Sequence, residues 1–192
     1  MKDFAASPGR LRALSVGAKI LYTAFALSAV LGLVVSWRLY GVIVADAGPS
    51  AYYAGAAVEA KPAEAAPEGG PVVEMPDAAK APSVIVEQIS DRKLLEVTHF
   101  HLFSVPVYVL ILAHLWLLAK IPSWAQTGGV VAAVVTSALH VAAPWIVRGR
   151  PALAPLMGAS GAAMLLCLGL MAAVATIDMW LPRTRRRADD AA

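Results

Sequence analysis

The sequence predicts an all-α membrane protein, a bundle of four transmembrane helices with both termini in the cytoplasm. Three observations carry that expectation. Of 192 residues, 59% are hydrophobic and only 15% are charged, against roughly 25% charged in an average soluble domain. The apolar residues gather into four runs, each reaching the roughly 17–25 residues that a spanning helix needs. The charged residues lie beside those runs rather than within them. This pattern excludes an ordinary soluble enzyme, a coiled coil and a disordered chain. A net charge of +3, carried by residues that flank apolar runs, gives no sign of nucleic-acid binding.

Residues 1–18 form a basic tail. The first span covers 19–44. Ala45-Asp46-Ala47 fits a signal-peptidase pattern, but the apolar stretch before it far exceeds the usual roughly 7–15 residues, so it reads as an uncleaved anchor. Residues 45–93 form an acidic loop rich in Ala and Pro, with too few large apolar side chains to offset its chain entropy. Two pieces of it promise order: an aromatic anchor at Tyr52-Tyr53 and an extended segment at Ser83–Val86. The second span covers 94–119, the third 129–147 and the fourth 152–181. Short links make the last three antiparallel neighbours. Pro122 and Gly128-Gly129 are expected to break the first link, and Pro151 marks the second. Residues 182–192 form a second basic tail. Both tails are rich in Arg and Lys, whereas 38–98 has five basic residues against nine acidic ones. The tails therefore belong in the cytoplasm of a bacterial inner membrane and the loop outside, with Arg148 and Arg150 dissenting.

All four histidines fall in spans, where ionisable groups are costly and mark function. If the second span enters at Lys93 and the third leaves at Arg148, His101 and His140 each lie eight residues deep, or about 12 Å. Two imidazoles at one level on antiparallel neighbours are what an iron held between them requires. Thr98 and Ser104 flank His101. Thr136 and Ser137, with Ala143 and Pro144, flank His140; their small side chains leave room for a flat group, and their hydroxyls are candidates to orient an imidazole. Pro106 is expected to bend the second span. His99 and His114 are weaker metal candidates. The rings of His99 and His101 point about 160° apart on a helix, and His114 lies about 220° round from His101.

Small residues stripe the first span at Ala24, Ser28 and Gly32, and the fourth at Gly158, Ala162, Gly169 and Ala173, which favours close helix approach. Asp178 reads as a solvated or arginine-paired residue at a helix end. The five tryptophans lie near span ends, as an aromatic belt would. A lone cysteine, Cys167, reads as a small hydrophobe. No nucleophile–base set, phosphate loop or metalloprotease motif is present.

The segment Glu96-Val97-Thr98-His99-Phe100-His101-Leu102-Phe103 opens a span. With Ala51-Tyr52-Tyr53-Ala54-Gly55, it resembles a family of uncharacterised bacterial inner-membrane proteins carrying Glu-x-Thr-His-x-His-x-Phe. The paired histidines are loosely similar to those of b-type membrane cytochromes. They depart from the pattern of thirteen residues between two histidines of one helix, since twelve separate His101 from His114.

The leading expectation is one haem b near the outer face, held by His101 and His140. Its role would be electron transfer within the lipid bilayer, with quinone and other membrane redox subunits as partners. The alternatives are a non-enzymatic assembly or scaffold subunit, and transition-metal handling through His99, His101 and the acidic loop.

Overall fold

A computed structural model describes residues 11–44, 48–59, 83–86 and 88–182. Four long helices dominate it: α1 (Val16–Val44), α3 (Asp91–Leu118), α4 (Ser123–Gly149) and α5 (Pro155–Trp180). Each is long and apolar enough to cross a membrane. A short helix α2 (Gly48–Ala54) and a strand pair, β1 (Ala56–Glu59) and β2 (Ser83–Val86), lie between α1 and α3. The chain is thus a four-helix bundle with a small capping element.

Local chemistry sets the helix ends. Ser90 caps α3, its hydroxyl accepting from the Lys93 amide at 3.2 Å, and Asp91 sits favourably in the first turn. Pro155 opens α5, where its missing N–H costs nothing. Pro106 and Pro144 both lie inside continuous helices.

α4 begins at Ser123, six residues before the expected start, so Gly128 and Gly129 are helical rather than a break. The reason is packing. A Cβ at Gly129 would lie 2.5 Å from Trp116 Nε1. Glycine lets the indole press onto α4 and donate to the carbonyls of Ala125 and Gln126 at 3.1 and 3.2 Å. Trp116 is therefore buried inside the bundle and is no part of an aromatic belt. Trp37, Trp124, Trp145 and Trp180 are exposed.

The expected flexible loop is partly ordered. α2 ends at Gly55, whose φ of 77° suits the left-handed position after a helix. Its amide donates to the Ala51 carbonyl at 2.8 Å. The extended piece Ser83–Val86 pairs antiparallel with Ala56–Glu59, Ala56 opposite Val86. Sequence reasoning missed that partner because Ala56–Glu59 has little strand character. Residues 60–82, the bulk of the acidic segment, lie outside the described residues.

α5 is the hub and packs against α1, α3 and α4. Its buried face is not the expected small-residue stripe. Met157, Met164 and Met171 recur every seven residues, beside Gly161, Leu168 and Ala175 at the same period. That is the spacing of a coiled-coil seam, and flexible methionines fill its irregular gaps. Ala173 points outward. On α1 the buried small residues are Ala26 and Ala29, while Ala24, Ser28 and Gly32 are exposed.

At the far end from α2, the turn Leu11–Ala13 folds against the end of α5. Leu11 is fully buried. Asp178, also buried, accepts from Arg12 Nε and Nη2 at 2.9 and 2.7 Å and from the Lys120 amide at 3.2 Å. It is arginine-paired and shielded from solvent.

Two adjacent glycines should respond with opposite signs to the same change. Gly128→Ala, with open space around its Cβ, should stabilise the detergent-solubilised protein by about 0.5–1 kcal/mol through helix propensity. Gly129→Ala should destabilise it by about 1–3 kcal/mol through overpacking against Trp116. Thermal unfolding followed by circular dichroism reads both.

Candidate functional site

Contacts at two levels fix α3 against α4 near the α2 end. Arg148 of α4 pairs with Asp91 of α3, which accounts for one of the two arginines that dissent from the charge rule. Below that pair, Trp145 Nε1 donates to Thr98 Oγ1 at 2.9 Å. One turn deeper the structure brings His101 and His140 together. Their ring centroids are 6.2 Å apart, with planes inclined by 58°.

A carbonyl faces one ring and a hydroxyl the other. His101 Nδ1 lies 2.8 Å from the carbonyl of Val97. A carbonyl only accepts, so Nδ1 carries the proton. His140 Nδ1 lies 3.3 Å from Ser160 Oγ, and that hydroxyl donates to the Met157 carbonyl at 3.3 Å. With the serine proton given to Met157, the serine oxygen accepts, and His140 then carries its proton on Nδ1. Both Nε2 lone pairs remain for another partner. Metal-binding imidazoles are oriented in this way. Gly161 makes the room: a Cβ there would meet His140 Cε1 at 3.2 Å.

Both rings line a cavity of about 440 Å³, within the range of small-molecule sites. It lies between α1 and α3 over α5. Leu33 and Val105 wall it, Leu112 and Leu168 close its deep end, and Tyr52 and Tyr53 of α2 line its outer end. Near the deep end Phe25 stacks on Tyr108 at 5.9 Å, bridging α1 and α3. Sequence reasoning missed α1 and α2 as walls. The signal available was the cluster Trp37, Tyr40, Tyr52 and Tyr53 at the same edge of the apolar runs.

The supporting residues divide. Thr98 and Ser104 line the cavity, but their hydroxyls donate to the carbonyls of Leu94 and Phe100, both at 2.8 Å. Thr136 likewise donates to Ala132 at 2.7 Å. Ser137 is buried, with no hydrogen-bond partner among the described residues. Neither Thr136 nor Ser137 lines the cavity, and Ala143 is buried in the packing of α4. Pro144, also buried, lines the cavity beside His140 and Val141.

His99 is exposed and packs on Phe103, with ring centroids 4.9 Å apart, away from His101. His114 lines a separate hollow with Tyr22, Leu110, Ile111 and Leu115. Among the described residues, no three or more His, Cys, Asp or Glu side chains gather as a metal site. His99 and His101 face apart, as alternate residues of an unbroken helix do.

The chain matches the Aq_1264_TM family, a transmembrane helical domain, over residues 46–186. It belongs to that family, and it is a multi-pass membrane protein. The match runs from before α2 through α5 and leaves α1 outside. No curated protein and no solved structure matches the chain.

Burial, with smaller effects of Tyr52 and Tyr40, pushes the Tyr53 hydroxyl up to about 12. A raised folded value means the neutral phenol is favoured. The stabilisation is complete below the unfolded value near about 10 and is lost as pH rises through the folded one. Tyrosinate absorbance should show a late-titrating component, and Tyr53→Phe should diminish it.

Proposed function

We propose that this membrane protein holds one b-type haem between His101 and His140 and serves electron transfer in the bilayer. The observation that supports it most is the imidazole pair. Their centroids lie 6.2 Å apart, and His101 and His140 would be the residues that hold the iron. Two protonated Nδ1 atoms leave two Nε2 donors, the set that a low-spin haem iron takes.

Bound there, the iron would supply one-electron chemistry. The chain's own contribution is orientation and surroundings. The Val97 carbonyl and the Ser160 hydroxyl hold the imidazoles in one tautomer and make Nε2 more basic. Val105, Met157 and Met164 provide an apolar wall, which limits water and tunes the potential. By the charge rule the site lies towards the outer face.

The test is a reduced-minus-oxidised absorption spectrum of protein expressed with haem precursor supplied. Bands of a six-coordinate b-type haem are expected, and His101→Ala or His140→Ala should abolish them or convert them to a high-spin form. Ser160→Ala should retain the bands with roughly 10–100-fold weaker haem affinity. A folded, colourless protein that co-purifies with a larger assembly would overturn the proposal in favour of a scaffold subunit.

A further inference from the structure

The cavity continues well past the histidines. Along α3 its lining runs from Leu94 to Leu112, about 27 Å at 1.5 Å per residue. Along α1 it runs from Ala29 to Tyr40, about 16 Å on the same rise. It is therefore a groove, longer than it is wide. Its lip is exposed: Gly32, Ser36 and Leu39 on one side and Ser104 on the other. That lip opens sideways between α1 and α3, where a membrane protein meets lipid.

The two ends differ in chemistry. The deep end is apolar, walled by Leu33, Leu112 and Leu168. The outer end is aromatic. Trp37 lies against Tyr40 with centroids 6.1 Å apart, and Tyr52 meets Tyr53 edge-on at 4.9 Å. Among the described residues, the hydroxyls of Tyr40 and Tyr53 have no hydrogen-bond partner. The serine and threonine hydroxyls of the groove spend their protons on helix carbonyls. What the outer end offers is phenol donors beside flat rings. A half-buried phenol at an apolar edge has one donor to place, and an acceptor oxygen takes it.

We propose that the groove binds a membrane quinone, its ring among Trp37, Tyr40 and Tyr53 and its apolar tail leaving over the exposed lip at Gly32, Ser36 and Leu39 into lipid. Ring carbonyls supply the acceptors that the phenols lack. The flat ring suits the aromatic walls, and the tail suits a slot that opens to lipid. The assignment names the electron partner of the haem proposed above and rests on that function, but binding itself does not require the haem.

The test uses the full chain in lipid nanodiscs, with a decyl-substituted benzoquinone as probe and tryptophan fluorescence as readout. Saturable quenching is expected. Gly32→Phe, placed where a side chain meets open space, should weaken binding at least about tenfold by filling the groove. Tyr53→Phe should weaken it about fivefold, the loss of one neutral hydrogen bond. Trp37→Phe should lower the quenching amplitude. Helical circular dichroism checks that each variant is folded. Quenching that does not saturate, or that Gly32→Phe and Tyr53→Phe both leave unchanged, overturns the proposal. So does displacement of the probe by equimolar decan-1-ol, which would assign the groove to lipid chains. A protein that stays free of haem after expression with haem precursor, yet binds the probe, overturns the haem alone.

Discussion

The register of α3 against α4 is the constraint on which the site depends. A helix advances about 1.5 Å per residue, so two antiparallel helices pinned at both ends have no freedom between. At one end the turn is tight. Trp116 reaches over Gly129 to the first-turn carbonyls of α4, and Gln126 Nε2 donates back to the carbonyls of Leu117 and Ala119 at 2.9 and 3.3 Å. At the other end stand the Arg148–Asp91 pair and the Trp145–Thr98 bond. Between these clamps His101 and His140 are brought level. A slip of one residue would turn each ring by about 100° and separate them.

The second constraint comes from how unequally the helices share contacts. α5 touches all three others, while α1 leans chiefly on α5. A bundle with four equivalent neighbours closes its centre. Here α1 and α3 diverge on one side and meet at the Phe25–Tyr108 stack. The groove is the space left by that asymmetry. Methionine every seventh residue lets α5 adapt to three partners at once, since an unbranched side chain fits several surfaces where Leu or Ile would fit one.

The four spans were legible because membrane helices announce themselves by length and apolarity, which need no tertiary knowledge. The level of His101 and His140 was legible for the same reason: charged ends and a fixed rise give depth. Rotation about the helix axis was harder to read. In a span apolar on every side, no amphipathic pattern marks the inner face. So Gly158, Ala162, Gly169 and Ala173 suggested a contact stripe, whereas the Met157–Met164–Met171 period is the buried seam. Gly128 and Gly129 read as breakers because their packing partner, Trp116, lies across a turn. The strand Ala56–Glu59 was invisible because its pairing with Ser83–Val86 spans a stretch with no local signal. Asp178 was readable as a helix-end charge, but its partner Arg12 stands 166 residues away.

Polar groups inside the spans obey one rule that singles the site out. Within a membrane each hydroxyl must find a partner, and most find one on their own helix. Ser36 returns its proton to the Gly32 carbonyl, Thr98 to Leu94, Ser104 to Phe100 and Thr136 to Ala132. His101 spends Nδ1 on Val97 in the same way, and His140 spends its own on Ser160 of α5. Once those debts to the backbone and the bundle are settled, the polar capacity left facing the groove is concentrated: two imidazole Nε2 atoms and the phenols near the α2 end. The helices use most of their polarity along their own length, and what they leave over faces one cavity rather than being scattered round the bundle.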